Sequence, residues 1–64
     1  MLDREKVYEV KHRYLGTFIG RATEPAYGWC GFVIVEVSQK LAEEEYEPGD
    51  YIELTADFYK ARPL

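Results

Sequence analysis

The stretch Gly28-Trp29-Cys30-Gly31-Phe32-Val33-Ile34-Val35-Glu36-Val37 decides the fold. It is the longest apolar run in the chain, and it is rich in β-branched and aromatic residues, which suit the pleated surface of a strand. A strand with core on one side and water on the other alternates apolar with polar residues. This run does not. A period of two puts Cys30, Phe32 and Ile34 on one face, and Trp29, Val33, Val35 and Val37 on the other. In a chain of 64 residues the second face needs a cover of its own: a lid, a sharp bend or a second molecule.

The flanking sequence supplies further strands. Between Val7 and Leu15, Tyr8, Val10, His12 and Tyr14 share one face, and Glu9, Lys11 and Arg13 the other. Gly16 supplies a bend. Thr17–Thr23 reads as a second strand, with Phe18, Gly20 and Ala22 on one face. Glu24-Pro25-Ala26-Tyr27-Gly28 reads as a turn from its Pro and Gly. The apolar run is the third strand, and Gly31 marks a kink in it. Beyond it, Ser38–Tyr46 is the one helical candidate, with Ser38 as N-cap. Leu41, Ala42 and Tyr46 would lie down on the sheet as a lid over the second face of the third strand. Tyr51–Phe58 alternates cleanly, with Ile52, Leu54, Ala56 and Phe58 pointing one way. Tyr59–Leu64 reads as a short edge segment that Pro63 stops.

Glu47-Pro48-Gly49-Asp50 is a strong turn, with Pro at the second position and Gly where φ is positive. The phrase Glu47-Pro48-Gly49-Asp50-Tyr51-Ile52-Glu53-Leu54 resembles the Pro-Gly-Asp entry into a strand that recurs in SH3-like and OB-like small barrels. The resemblance covers these eight residues and implies architecture, because such barrels host many unrelated functions. The expected fold is mainly β: a small curled antiparallel sheet or SH3-like barrel of four or five strands. One short helix or helical turn is expected near residues 39–46, and residues 1–64 form a single domain.

A chain this short buries only about 60% of the surface its unfolded form exposes, so stability is marginal. Cys30 is the only cysteine and His12 the only histidine. Together they make neither a disulfide nor a four-ligand zinc site. Six Tyr, three Phe and one Trp supply large side chains for a core and set the chain apart from disordered sequences. The N-terminus Met1-Leu2-Asp3-Arg4-Glu5-Lys6 is charged and lacks the apolar region of a leader. No run approaches a membrane span. With an unpaired cysteine, the expected compartment is a reducing cytoplasm.

The formal net charge is −4, which argues against nonspecific nucleic-acid binding. The charges are also segregated. Arg4, Lys6, Lys11, Arg13 and Arg21 precede Pro25, whereas Glu43, Glu44, Glu45, Glu47, Asp50, Glu53 and Asp57 follow Lys40 with no base before Lys60. The acidic stretch lacks the ligand spacing of a calcium loop and reads as solvated charge. Gly16-Thr17-Phe18-Ile19-Gly20 lacks the Lys-Ser/Thr of a phosphate loop and reads as a strand junction. Cys30 and His12 are the only pair resembling a nucleophile and base. A thiol in an apolar run reads instead as a small buried hydrophobe.

No catalytic, cofactor or metal site emerges from these residues. The leading expectation is a non-enzymatic small barrel acting by self-association or by binding a protein partner. The surface would be Trp29, Val33, Val35 and Val37, with Tyr27 beside it. The first alternative is a barrel that binds single-stranded nucleic acid through Lys11, Arg13 and Arg21 with Tyr27 and Trp29. The second is an inhibitor whose acidic segment, Glu43 to Asp57, mimics a nucleic-acid backbone.

Overall fold

A computed structural model describes residues 1–64. The strands are β1 (Val7–His12), β2 (Gly16–Ala26), β3 (Trp29–Glu36), β4 (Tyr51–Thr55) and β5 (Tyr59–Pro63). A helix, α1 (Gln39–Glu43), follows β3, and a 3-10 turn, η1 (Ala56–Phe58), joins β4 to β5. All neighbouring strands run antiparallel in the order β4-β3-β2-β1-β5. The two edge strands are thus joined by three residues, which forces the sheet to curl. The protein is a small, mainly β fold with one short helix.

The inner face of the curl is the core. Tyr8 and Val10 come from β1, Phe18 and Ala22 from β2, and Cys30, Phe32 and Ile34 from β3; Ile52 and Leu54 come from β4 and Leu41 from α1. These are the inward positions that alternation assigns to β1, β2 and β3. Phe32 meets Phe18 edge-to-face at 6.1 Å and Tyr59 at 5.6 Å, the arrangement that ring quadrupoles favour. Gly20 makes room for the first pair: a Cβ there would lie 3.0 Å from the Phe18 ring.

Two bulges reset the alternation. Gly20 pairs with Ile34 and Ile19 with Glu36, so Val35 is an extra residue in β3. A bulge places two residues opposite one, and residues beyond it change face. Val35 and Glu36 are both exposed, and Val37 turns inward against the core. Val37 therefore leaves the outer face on which simple alternation puts it. Thr23 is the second extra residue, between the pairs Ala22–Phe32 and Glu24–Gly31. Its hydroxyl donates to the Gly31 carbonyl at 3.2 Å.

Other boundaries also differ from the sequence reading. Glu24, Pro25 and Ala26 belong to β2, and the turn shrinks to Tyr27-Gly28, where Gly28 takes φ +85°. β1 ends at His12, so Tyr14 lies in the turn and is exposed. β4 ends at Thr55, and η1 carries Ala56 and Phe58 out to the surface instead of inward. The Glu47–Asp50 turn forms, with Gly49 at φ +97°. In it the Asp50 amide donates to the Glu47 carbonyl at 3.0 Å.

Ser38 caps α1, its hydroxyl accepting from the Leu41 amide at 3.1 Å and donating to the Leu15 carbonyl. This second bond ties the helix to the β1–β2 turn. Leu41 is fully buried and Tyr46 is half-buried against the same core, while Ala42 is exposed. The helix therefore closes the inner face, not the outer one. At the far end of the curl, the half-buried Leu2 packs on the core.

Candidate functional site

The outer face of β3 is left without a lid. Val33 is half-buried and Val35 is 43% exposed. Between Trp29 and Val33 stands Gly31, which by sequence would leave a gap in the stripe. Tyr51 fills it: Tyr51 is paired with Val33 across the β3–β4 ladder, and its ring lies diagonally over Gly31. Any side chain at position 31 would displace that ring. The half-buried Ile19 of β2 stands opposite the Val35–Glu36 bulge. Trp29, Tyr51, Val33, Val35 and Ile19 thus form one apolar band. Tyr51 and Ile19 were not among the residues expected for it. The signal in the sequence was an outward Gly in β3 with a Tyr at the entry to the next strand.

The band is rimmed by the exposed carboxylates Glu24, Glu36 and Glu53. The Tyr51 hydroxyl donates to Glu53 Oε2 at 3.0 Å. Its pKa is raised, first by lost hydration, then by that bond and by the charges of Glu24 and Glu53. Arg21 is paired with Val33 on the same face, but its guanidinium is held by Glu5.

Tyr27 stands apart, fully exposed in the β2–β3 hairpin turn, and Trp29 is the end of the band nearest to it. They border an apolar cleft of about 250 Å³ with Leu2, Pro25, Cys30 and Tyr59. Cys30 is sealed below it. Its thiol donates to the Gly31 carbonyl at 3.4 Å. Burial pushes the thiol pKa up, and the nearby Tyr59 hydroxyl offsets this in part. The Tyr59 hydroxyl is itself pushed up to about 12 by burial and by Cys30. His12 lies elsewhere: its Nδ1 accepts from the amides of Tyr14 at 3.1 Å and Leu15 at 3.2 Å. The two residues are therefore not arranged as nucleophile and base.

The expected basic-aromatic set is divided. Lys11 and Arg13 lie at the end of β1, far along the ladder from Arg21, which pairs with Val7. Around Lys11 and Arg13 the fold assembles other residues. Lys60 of β5 is paired directly with Lys11. The Arg13 amide donates to the Phe58 carbonyl at 2.7 Å, and its guanidinium lies 5.7 Å from the Phe58 ring centre. Tyr14 stands 5.8 Å from the same ring, and His12 6.2 Å. Sequence reading missed Lys60 and Phe58, because only the β1–β5 pairing brings them in, and Tyr14, because alternation carried on past His12 turns it inward. The exposed Glu43, Glu44, Glu45 and Glu47 belong to α1 and its following turn, where Lys40 and Glu44 pair at 3.6 Å.

Burial lowers the His12 pKa below its ordinary 6.5. The unfolded chain then takes up the proton more readily than the folded one. Protonation also turns the Nδ1 acceptor into a donor facing two N–H groups. Stability is therefore full above pH 6.5 and is lost as the pH falls through the folded pKa. His12→Asn, whose side-chain oxygen accepts from the same amides, is expected to flatten that decline. Thermal melts of both proteins across this range check it, and equal slopes would assign the decline to other groups.

No protein-family model, curated protein or solved structure matches the chain. No helix is long and apolar enough to cross a membrane.

Proposed function

We propose that the protein is a non-enzymatic association module and that the outer face of β3 is its docking surface. The observation that carries this reading is the uncovered apolar band of Trp29, Tyr51, Val33 and Val35, lying opposite the face that α1 closes. The strand order, with β5 beside β1 and η1 joining the two edges, supports an SH3-like barrel as the frame. Aromatic anchors beside small aliphatic side chains suit a protein interface.

The rim selects the partner. Two copies stacked through this band would bring Glu24, Glu36 and Glu53 of one against those of the other, and like charges across an interface cost several kcal/mol. A protein presenting apolar side chains within a ring of Lys and Arg fits better. A monomer is therefore expected by light scattering across a concentration series. A dimer dispersed by Val35→Glu would make a second copy the occupant instead.

Affinity capture from cells that express the protein tests the surface itself. Val35→Glu is expected to lose a captured protein that the wild type retains, with its melting temperature unchanged. Unaltered capture by Val35→Glu and by the milder Val35→Ser would overturn the reading. Unfolding of Val35→Ser would do the same, by making Val35 a core position.

A further inference from the structure

The end of β1, η1 and the start of β5 form a second surface with a different chemistry. Lys11 and Lys60 are direct cross-strand partners. Like charges in that relation destabilise a sheet, and the neighbouring pair on the same face, Glu9 and Arg62, obeys the usual rule with an ion pair at 3.0 Å. The ion pairs of the molecule are Arg21–Glu5, Lys40–Glu44 and Arg62–Glu9. Lys11, Arg13 and Lys60 therefore have no carboxylate partner, although Asp57 borders the same groove. That groove is an open hollow of about 390 Å³, bordered by Lys11, Arg13, Asp57, Phe58, Tyr59 and Lys60. Next to the cations lie two exposed rings, Phe58 at 37% and Tyr14 at 62%. The Arg13 amide bond to Phe58 and the His12 cap on the turn fix these groups to the sheet.

We infer that this surface binds single-stranded nucleic acid, with Lys11, Lys60 and Arg13 on phosphates and Phe58 and Tyr14 stacking on bases. A phosphodiester strand satisfies both halves of the surface: its charge relieves the Lys11–Lys60 repulsion, and its bases cover the rings. An acidic peptide would satisfy only the first half. Single-strand sites combine a positive groove with aromatic stacking in this way. Three cations, Lys11, Arg13 and Lys60, border the groove against one carboxylate, Asp57, so a net negative chain still offers a local positive surface. The inference is independent of the docking reading for β3, because the two surfaces share no residue.

The test is a fluorescence-anisotropy titration of short labelled oligothymidylate and oligouridylate at several salt concentrations. Three phosphate contacts predict a slope of log K against log salt of about −2, and losing one cation makes it shallower by about 0.7. Lys11→Gln and Lys60→Gln are each expected to weaken binding while leaving the melting temperature unchanged or higher, since each removes a like-charge pair. Phe58→Leu is expected to weaken binding roughly tenfold or more through lost stacking with the salt slope unchanged. Polyglutamate serves as competitor. Absence of binding at low salt, unaltered binding by both lysine variants, or competition by polyglutamate as effective as by oligothymidylate would overturn the inference. Loss of β3 docking in Val35→Glu with oligonucleotide binding intact would separate the two surfaces experimentally.

Discussion

Phe32→Ala is expected to leave the chain without a cooperative unfolding transition at room temperature. Phe32 is fully buried and holds two edge-to-face contacts, with Phe18 from β2 and Tyr59 from β5. It therefore links the middle of the sheet to the strand that closes the curl. Truncating a buried Phe to Ala costs about 3–5 kcal/mol. A domain of this size has a total stability of roughly 3–10 kcal/mol. The loss is thus comparable to the whole stability, and no disulfide compensates, because Cys30 is the only cysteine. Circular dichroism during urea titration reads it directly. A cooperative transition whose midpoint shifts by less than about 1 kcal/mol equivalent would mean that the ring sits in a core able to collapse around the cavity.

The same residue illustrates what the sequence makes legible. The inward face Cys30-Phe32-Ile34 follows from period two alone, as do Tyr8 and Val10 in β1 and Phe18 and Ala22 in β2. The Ser38 cap and the Glu47–Asp50 turn are equally local, each set by one side chain or by one Pro-Gly pair. What fails is everything that depends on register. The bulge at Val35 flips Val37 inward, and the bulge at Thr23 carries β2 on through Pro25, yet neither residue differs in type from a regular strand position. Alternation continues past Thr55 on paper, whereas the need to reach the far edge of the sheet turns Ala56–Phe58 into η1.

The candidate surfaces show the same division. Val33 and Val35 are legible as an outer stripe, but its continuity depends on Tyr51 from β4 lying over Gly31. Lys11 and Arg13 are legible as exposed bases. Their real companions, Lys60 and Phe58, lie 49 and 45 residues further along the chain and arrive only through the β1–β5 pairing. Such long-range pairing is what a single sequence encodes least directly, since local propensity carries no information about which strand lies beside which.

α1 offers the second large effect and distinguishes the two places where a lid could sit. Leu41 is the one buried residue of the helix, and it enters the same core as Val10, Phe18 and Ile34. Leu41→Ala is expected to cost about 2–5 kcal/mol, because the small helix has no other buried contact with which to fill the cavity. Ala42 is exposed one position later, so Ala42→Lys is expected to change stability by less than about 0.5 kcal/mol. A helix lying over the outer face of β3 with both residues down would give the opposite result for Ala42→Lys, since an ammonium would be pressed onto Val33 and Val35. A helix of five residues has no independent stability, so Leu41→Ala also releases the Ser38 tie to the β1–β2 turn. Hydrogen exchange is then expected to accelerate at the Leu41 and Ala42 amides before it does so in β2 and β3. Uniform acceleration throughout the chain would mean that helix and sheet open as one unit, and that the lid is a full member of the core.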